Sequence, residues 1–278
     1  MTGRPAARGP LPVPLPLPRD FEATLVICRH GESTWITEGR FQGAADPPLS
    51  PHGERQVAYL AARLADPSRP PALPIPTAPP VAIWHSPLAR TTATAAAIAG
   101  ALDMPLSADA DLREIGQGAW EGRLVAEILA SDGERLREWR RSPLGNEAPG
   151  GEALATVDLR ARRALDRIVS QLVGASRGLD AADPDRPPVI GYGGPPPARA
   201  WGVVVGHDGL LRVAMLALLG LPLERFWTFP FVPAGISVVE FRGGMAIVRA
   251  HDLDEHLAPL QAPATEATIG PAPREGAL

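Results

Sequence analysis

Two kinds of apolar pattern share this chain: short unbroken runs, and longer stretches in which apolar residues recur every three or four positions. The first reads as buried strand and the second as helix resting on one face. Strand-like runs cover Thr24–Cys28, Val81–Trp84 and Trp201–Val205, and a final pair, Ile236–Phe241 and Met245–Ala250, meets at a Gly243-Gly244 turn. Between them the helical period appears. Ser50 as N-cap and Pro51 in the first turn start one helix, which continues through Val57, Leu60, Ala61 and Leu64. Further helices are predicted over Leu88–Ala101, Leu124–Arg141, Glu152–Val173 and Leu210–Leu219. Strands alternating with helices predict an α/β fold, a three-layer sandwich whose central sheet is mostly parallel with helices on both faces.

Proline punctuates this pattern. Residues 1–20, with proline at 10, 12, 14, 16 and 18, read as a disordered, extended arm without side chains to bury. Two Pro-rich stretches, at 66–80 and at 177–199 with its Gly191-Tyr192-Gly193-Gly194-Pro195 run, read as surface insertions. Residues 262–278 read as a flexible tail. The folded body is therefore expected at 21–261, and no internal repeat interrupts it.

Composition narrows the chemistry. The chain has 278 residues, of which 45% are hydrophobic, enough for a full core. Its net charge of -4 gives no electrostatic reason to expect nucleic acid or an anionic membrane as partner. Lysine is absent, so all 27 basic residues are arginine. A lysine-dependent phosphate loop and a lysine Schiff base are both excluded. Arginine keeps its charge and grips phosphate bidentately. Cys28 stands alone inside a strand, which excludes an internal disulfide and a cysteine-rich zinc site. The N-terminal prolines break every candidate signal-peptide core, and the apolar segment Leu210–Leu223 is too short to span a bilayer. A cytoplasmic enzyme is expected. The oligomeric state is not set by the sequence.

Chemistry collects where the strand runs end. Thr24–Cys28 leads into Arg29-His30-Gly31-Glu32, and Trp201–Val205 leads into Gly206-His207-Asp208-Gly209. Open α/β sheets keep their reactive groups at such strand ends. His30 is the candidate nucleophile, because imidazole attacks phosphorus and then releases it readily. Arg29 supplies positive charge beside it, and Gly31 lets backbone N–H groups approach an anion. Arg90, in Ser86-Pro87-Leu88-Ala89-Arg90-Thr91, falls in the first turn of a helix, where a bound anion would offset its conflict with the helix dipole.

Taken together, Arg29-His30-Gly31, Ser86-Pro87-Leu88-Ala89-Arg90-Thr91, Leu112-Arg113-Glu114 through Trp120-Glu121-Gly122, and Gly206-His207 resemble the histidine phosphatase superfamily, the phosphoglycerate-mutase-like enzymes, and in particular its phosphatase branch. The resemblance spans roughly Phe21 to Leu257. It implies that His30 is the phosphorylated residue, that Arg29 and Arg90 clamp the phosphate, and that His207 donates to the phosphoryl oxygens. It also implies that Glu114 protonates the leaving oxygen and then deprotonates water. Glu121, Glu127, Trp120, His52, His85 and His256 are read as surface or packing residues. By the same likeness Gln42-Gly43 follows the first motif as a phosphate or substrate contact, and Ser33 can donate a hydroxyl. Ile36 stands where the family commonly has asparagine, which removes one polar contact.

The implied activity is hydrolysis of a small phosphorylated metabolite through a phosphohistidine, with no metal and no cofactor. His-Asp pairs at 207–208 and 251–252 keep a metal-dependent reading in view, but His207 ends a strand rather than lying on a helix. Arg140-Arg141 keeps a phosphoglycerate mutase as the alternative. Against it, Glu114 is followed by Ile115-Gly116-Gln117 rather than the mutase sequence, and the mutase's substrate lysine does not exist here. A non-catalytic phosphoester-binding protein ranks last, since every catalytic group is present.

Overall fold

Alternation along each strand sorts the core into two layers. In β1 (Ala23–Arg29), Leu25 and Ile27 join one buried cluster while Val26 and Cys28 join the other. The same division runs through β2 (Ile83–His85), where Trp84 opposes Ile83, and through β4 (Trp201–Gly206), where Val204 opposes Val203 and Val205. Both faces are apolar, so both must be covered. Helices α2 (Pro51–Ala65) and α3 (Ala89–Leu102) cover one face through Leu60, Leu64, Ala95 and Ile98. Helices α5 (Leu154–Ser176) and α6 (Asp208–Leu219) cover the other through Val157, Leu165, Leu211 and Met215. Each buried leucine or isoleucine contributes about 1.5–3 kcal/mol, so a one-residue slip that exchanged the two faces would repack both layers at once.

The structure is a computed structural model that describes residues 14–176 and 200–261. Its sheet is completed by β3 (Leu106–Ala108), β5 (Ile236–Arg242) and β6 (Met245–Leu253), and the strand order is β3-β2-β4-β1-β5-β6. The first four strands of that order pair in parallel, and β5 and β6 add an antiparallel edge beside β1. Two further helices, the short α1 (Thr34–Glu38) and the longer α4 (Val125–Arg141), lie on the connections between strands. No helix among the described residues is long and apolar enough to cross a membrane.

Most elements stand within a few residues of their predicted bounds. Among the α-helices and strands two were not predicted: α1 is too short to show a period, and β3 is an edge strand whose residues are all exposed. The Pro-rich stretches differ from expectation where they are described. Leu15 is buried in the core against the α6 side, and its N–H reaches Ala217 O. In the 66–80 stretch, Leu73 and Ile75 are buried beneath the α2–α3 layer, and Ala78 O accepts from Trp201 Nε1 at 2.6 Å. Proline fixes the backbone without preventing a neighbouring side chain from docking, so proline density alone overstates exposure. The 177–199 stretch and the 262–278 tail lie outside the described residues.

Candidate active site

Strand register brings the two distant histidines together. β1 and β4 are parallel neighbours with Arg29 opposite Gly206, so the next residues, His30 and His207, leave the sheet side by side. His30 N–H donates to Gly206 O at 3.1 Å, and the two imidazoles meet edge to face with centroids 5.1 Å apart. β2 lies on the other side of β4 with His85 opposite Val205, which delivers Ser86 to the same edge.

His30 is buried, and its Nδ1 donates to Gly31 O at 2.6 Å. That bond fixes the proton on Nδ1 and leaves Nε2 with its lone pair. Burial holds the imidazole well below its ordinary pKa, and the charges of Arg90 and Arg29 push the same way. The ring is therefore neutral and nucleophilic near neutral pH. Arg90 donates from Nε to His30 Nε2 at 3.3 Å, and to Ala45 O at 2.8 Å and Gly43 O at 3.0 Å. Burial lowers this guanidinium to about 10, opposed by Glu114 and Asp46, so it stays charged. Arg29 is anchored at one end by donation to Phe231 O at 2.5 Å, while its buried Nε has no partner among the described residues. The Arg90 guanidinium thus sits against the neutral imidazole of His30, and Arg29 is near enough for its charge to act on both.

Glu114 closes the site from the 112–122 loop, where it is only 5% exposed. Its Oε1 accepts from Ile115 N at 2.8 Å and Leu210 N at 3.0 Å, and Oε2 accepts from Gly209 N at 3.2 Å. The carboxyl is seated on the first turn of α6, next to His207. Burial raises its pKa and Asp208 adds to the rise, against the N–H groups of Ile115 and Gly209 and the charge of Arg90. Such a carboxyl can carry a proton closer to neutrality than an exposed glutamate.

The loop after the first motif is laced rather than loose. Ser33 is buried and caps α1 by accepting from Ile36 N, while its hydroxyl donates to Gln42 Oε1 at 2.7 Å. That leaves the Gln42 amide nitrogen as the donor of this pair. Gly43 has φ +55, and a Cβ there would lie 2.3 Å from Glu121 Oε1 and 2.8 Å from Gln117 N, so the position requires glycine. Glu121, expected on the surface, instead takes the N–H groups of Gln117 and Ala44 at 2.8 and 2.9 Å and holds the two loops together. Its two acceptor roles become visible only once both loops are placed. His85 matches its expected packing role, with Nδ1 donating to Ser86 O. Trp120 does too, packed against Phe41 and Trp139.

Two residues take supporting roles that the sequence reading did not assign to them. Arg160 of α5 donates to Asp111 O, Arg113 O and Glu114 O while pairing twice with Glu152, so it grips the backbone that carries Glu114. Asp208 binds Arg212 and accepts Phe231 N, the residue whose carbonyl anchors Arg29. The pairs at 207–208 and 251–252 are thus spent locally: Asp208 on Arg212, and Asp252 on Val232 N at 2.8 Å. Among the described residues no group of three or more His, Cys, Asp or Glu side chains could hold a metal ion.

A neutral buried imidazole with an arginine against it, a second arginine nearby, a second imidazole and a carboxyl raised by burial, gathered at one sheet edge, are groups of the kind that cleave phosphomonoesters. The chain belongs to the histidine phosphatase superfamily, branch 1, which it matches over residues 25–176 and 197–253. It is 30% identical over 236 residues to phosphoserine phosphatase 1 of Hydrogenobacter thermophilus, covering 84% of this chain and 93% of that one. It is 33% identical over 204 residues to a glucosyl-3-phosphoglycerate phosphatase of Mycolicibacterium vanbaalenii, covering 73% and 76%. A mycobacterial glucosyl-3-phosphoglycerate phosphatase solved with VO3 superimposes with a TM-score of 0.64 at 25% identity, covering 82% of this chain and 98% of that one.

Proposed function

We propose that this enzyme hydrolyses a small phosphorylated metabolite without a metal, through a phosphoryl group held on His30. The observation that carries the reading is the contact of His30 Nδ1 with Gly31 O, an oxygen that can only accept, which leaves the lone pair on Nε2 beside Arg90. Nε2 attacks phosphorus and the P–O bond to the alcohol breaks, while Glu114 gives its proton to the departing oxygen. Water then attacks the phosphohistidine, Glu114 takes back a proton, the P–N bond breaks, and inorganic phosphate leaves His30 neutral again. Arg29, Arg90 and His207 hold the charge that spreads over the phosphoryl oxygens, and the Gln42 amide adds a neutral donor. The small-metabolite substrate follows from a reacting point buried among Arg29, His30, Arg90, Glu114 and His207, none more than 8% exposed. Wild-type protein assayed with an aryl phosphate under EDTA should turn over, and His30→Ala should not. Turnover retained by His30→Ala would overturn the mechanism. Conversion between phosphoglycerate isomers, primed with bisphosphoglycerate, would move the assignment to the mutase alternative.

A further inference from the structure

We propose that Ser86 is the positioning residue for His207: its hydroxyl donates to Nε2, fixes the ring proton on Nδ1, and so makes Nδ1 the nitrogen that donates to a phosphoryl oxygen. This rests on the reading of the site given above and adds to it a residue and a protonation pattern.

Topology places the pair. β2 and β4 are parallel neighbours, Ser86 N donates to Val205 O at 3.2 Å, and Ser86 therefore leaves the sheet beside Gly206-His207. Ser86 is fully buried, and its Oγ lies 2.8 Å from His207 Nε2. The residue has little freedom to turn away, because His85 Nδ1 and Thr91 Oγ1 both donate to its carbonyl, at 2.7 and 2.9 Å.

The direction of the bond follows from counting protons. Ser86 Oγ already accepts from Leu88 N at 3.4 Å. A hydroxyl oxygen has a second lone pair, so what sets the direction is its proton: among the described residues His207 Nε2 is the acceptor within reach, and the reverse direction would leave the buried hydroxyl proton unpartnered. Burial and the flanking charges of Arg90 and Arg29 keep the His207 ring neutral, so it carries a single proton. With Nε2 accepting, that proton sits on Nδ1, which is buried and has no partner among the described residues. A buried N–H without an acceptor is costly, and an anionic oxygen arriving at the site would satisfy it. The opposite tautomer would present a lone pair to that oxygen, which repels it.

The two histidines then form a matched pair. Both carry the proton on Nδ1, but His30 spends that proton on Gly31 O and shows a lone pair to phosphorus, whereas His207 spends its lone pair on Ser86 and keeps the proton for the phosphoryl group. Nucleophile and donor are distinguished by which nitrogen the scaffold occupies.

The test uses full-length protein with 15N-labelled histidine, whose long-range proton–nitrogen spectra report the tautomer of each ring. Wild type should show His207 protonated on Nδ1. Ser86→Ala should shift His207 toward the Nε2–H form and lower kcat on an aryl phosphate by roughly tenfold to a thousandfold, with KM changed far less. Ser86→Thr, which restores the hydroxyl, should recover both. A wild-type His207 protonated on Nε2 overturns the proposal, as does a folded Ser86→Ala protein with unchanged tautomer and kcat. If Ser86→Ala does not fold, the wild-type spectrum still decides. Failure of the phosphohistidine mechanism would appear separately, as turnover by His30→Ala.

Discussion

Asp111 and Glu114 are three residues apart on one segment, and their surroundings drive them in opposite directions. Asp111 sits at the surface between Arg163 and Arg167, with oxygen–nitrogen distances of 2.8 and 2.7 Å. Burial nudges its carboxyl upward, but hydrogen bonds from the two arginines outweigh that and hold it below the usual carboxylate range. Glu114 has turned inward. Burial dominates there, Asp208 reinforces it, and its carboxyl is raised. One carboxylate is held charged between two surface arginines, and the other is shifted toward its protonated form. The contrast lies in direction of burial rather than residue type, since both are ordinary acids in a polar stretch of sequence.

Glu114→Gln keeps the shape and a side-chain oxygen to accept from Ile115 N and Leu210 N, but it gives up the acceptor for Gly209 N and removes the transferable proton. Turnover of alkyl phosphates should fall by about 10²–10⁴, with a smaller loss on aryl phosphates whose leaving group needs no proton. Equal losses on both substrates, measured as kcat against leaving-group pKa, would assign Glu114 a structural role. Arg160→Gln removes the guanidinium that grips Asp111, Arg113 and Glu114 backbone and leaves the partly buried Glu152 without its ion-pair partner. Removing one partner of a buried pair costs up to about 3–5 kcal/mol, and chemical denaturation should show a loss approaching that. Gly209→Ala places a Cβ 2.8 Å from Glu114 Oε1 and 2.7 Å from Ile115 Cδ1. Overpacking there should cost about 1–3 kcal/mol and displace the carboxyl, so kcat should drop while inorganic phosphate still inhibits.

The mildest change separates the two acids by pH. The depressed Asp111 contributes stability that is present above its unfolded pKa and is lost as pH falls through its folded value. Thermal melts of Asp111→Asn should therefore fall slightly below wild type near neutrality and merge with it in acid, with kcat within about twofold of wild type. Glu114 has the reverse sign. Its folded pKa is raised, so the stability it contributes is fully present below its unfolded pKa and is lost as pH rises through its folded value. Its acid form drains away over the same rise, and kcat on alkyl phosphates should decline with it.

Much of this was legible before any coordinates. The strand runs ending in Arg29-His30 and Gly206-His207 put the two histidines at one sheet edge, because parallel strands present their ends together. The apolar periods located the helices that cover the sheet. What stayed hidden depends on contacts between distant segments. Arg160 is one arginine among several on α5, and only its register against the Glu114 loop gives it a role. Ser86 is named within a recognisable segment, but its hydroxyl acquires meaning from the β2–β4 pairing. Glu121 bridges two loops that no local pattern connects, and Leu15 and Ile75 lie in proline-dense stretches where local composition argues for exposure.

The central claim is a covalent bond between phosphorus and His30 Nε2. It is tested most directly by quenching the enzyme in alkali during turnover of an aryl phosphate and mapping the phosphoryl group by peptide mass spectrometry. The account predicts an alkali-stable, acid-labile phosphoryl group on the peptide carrying His30, absent from His30→Ala. Turnover with the phosphoryl group on another residue, or turnover unimpaired in His30→Ala, would contradict it.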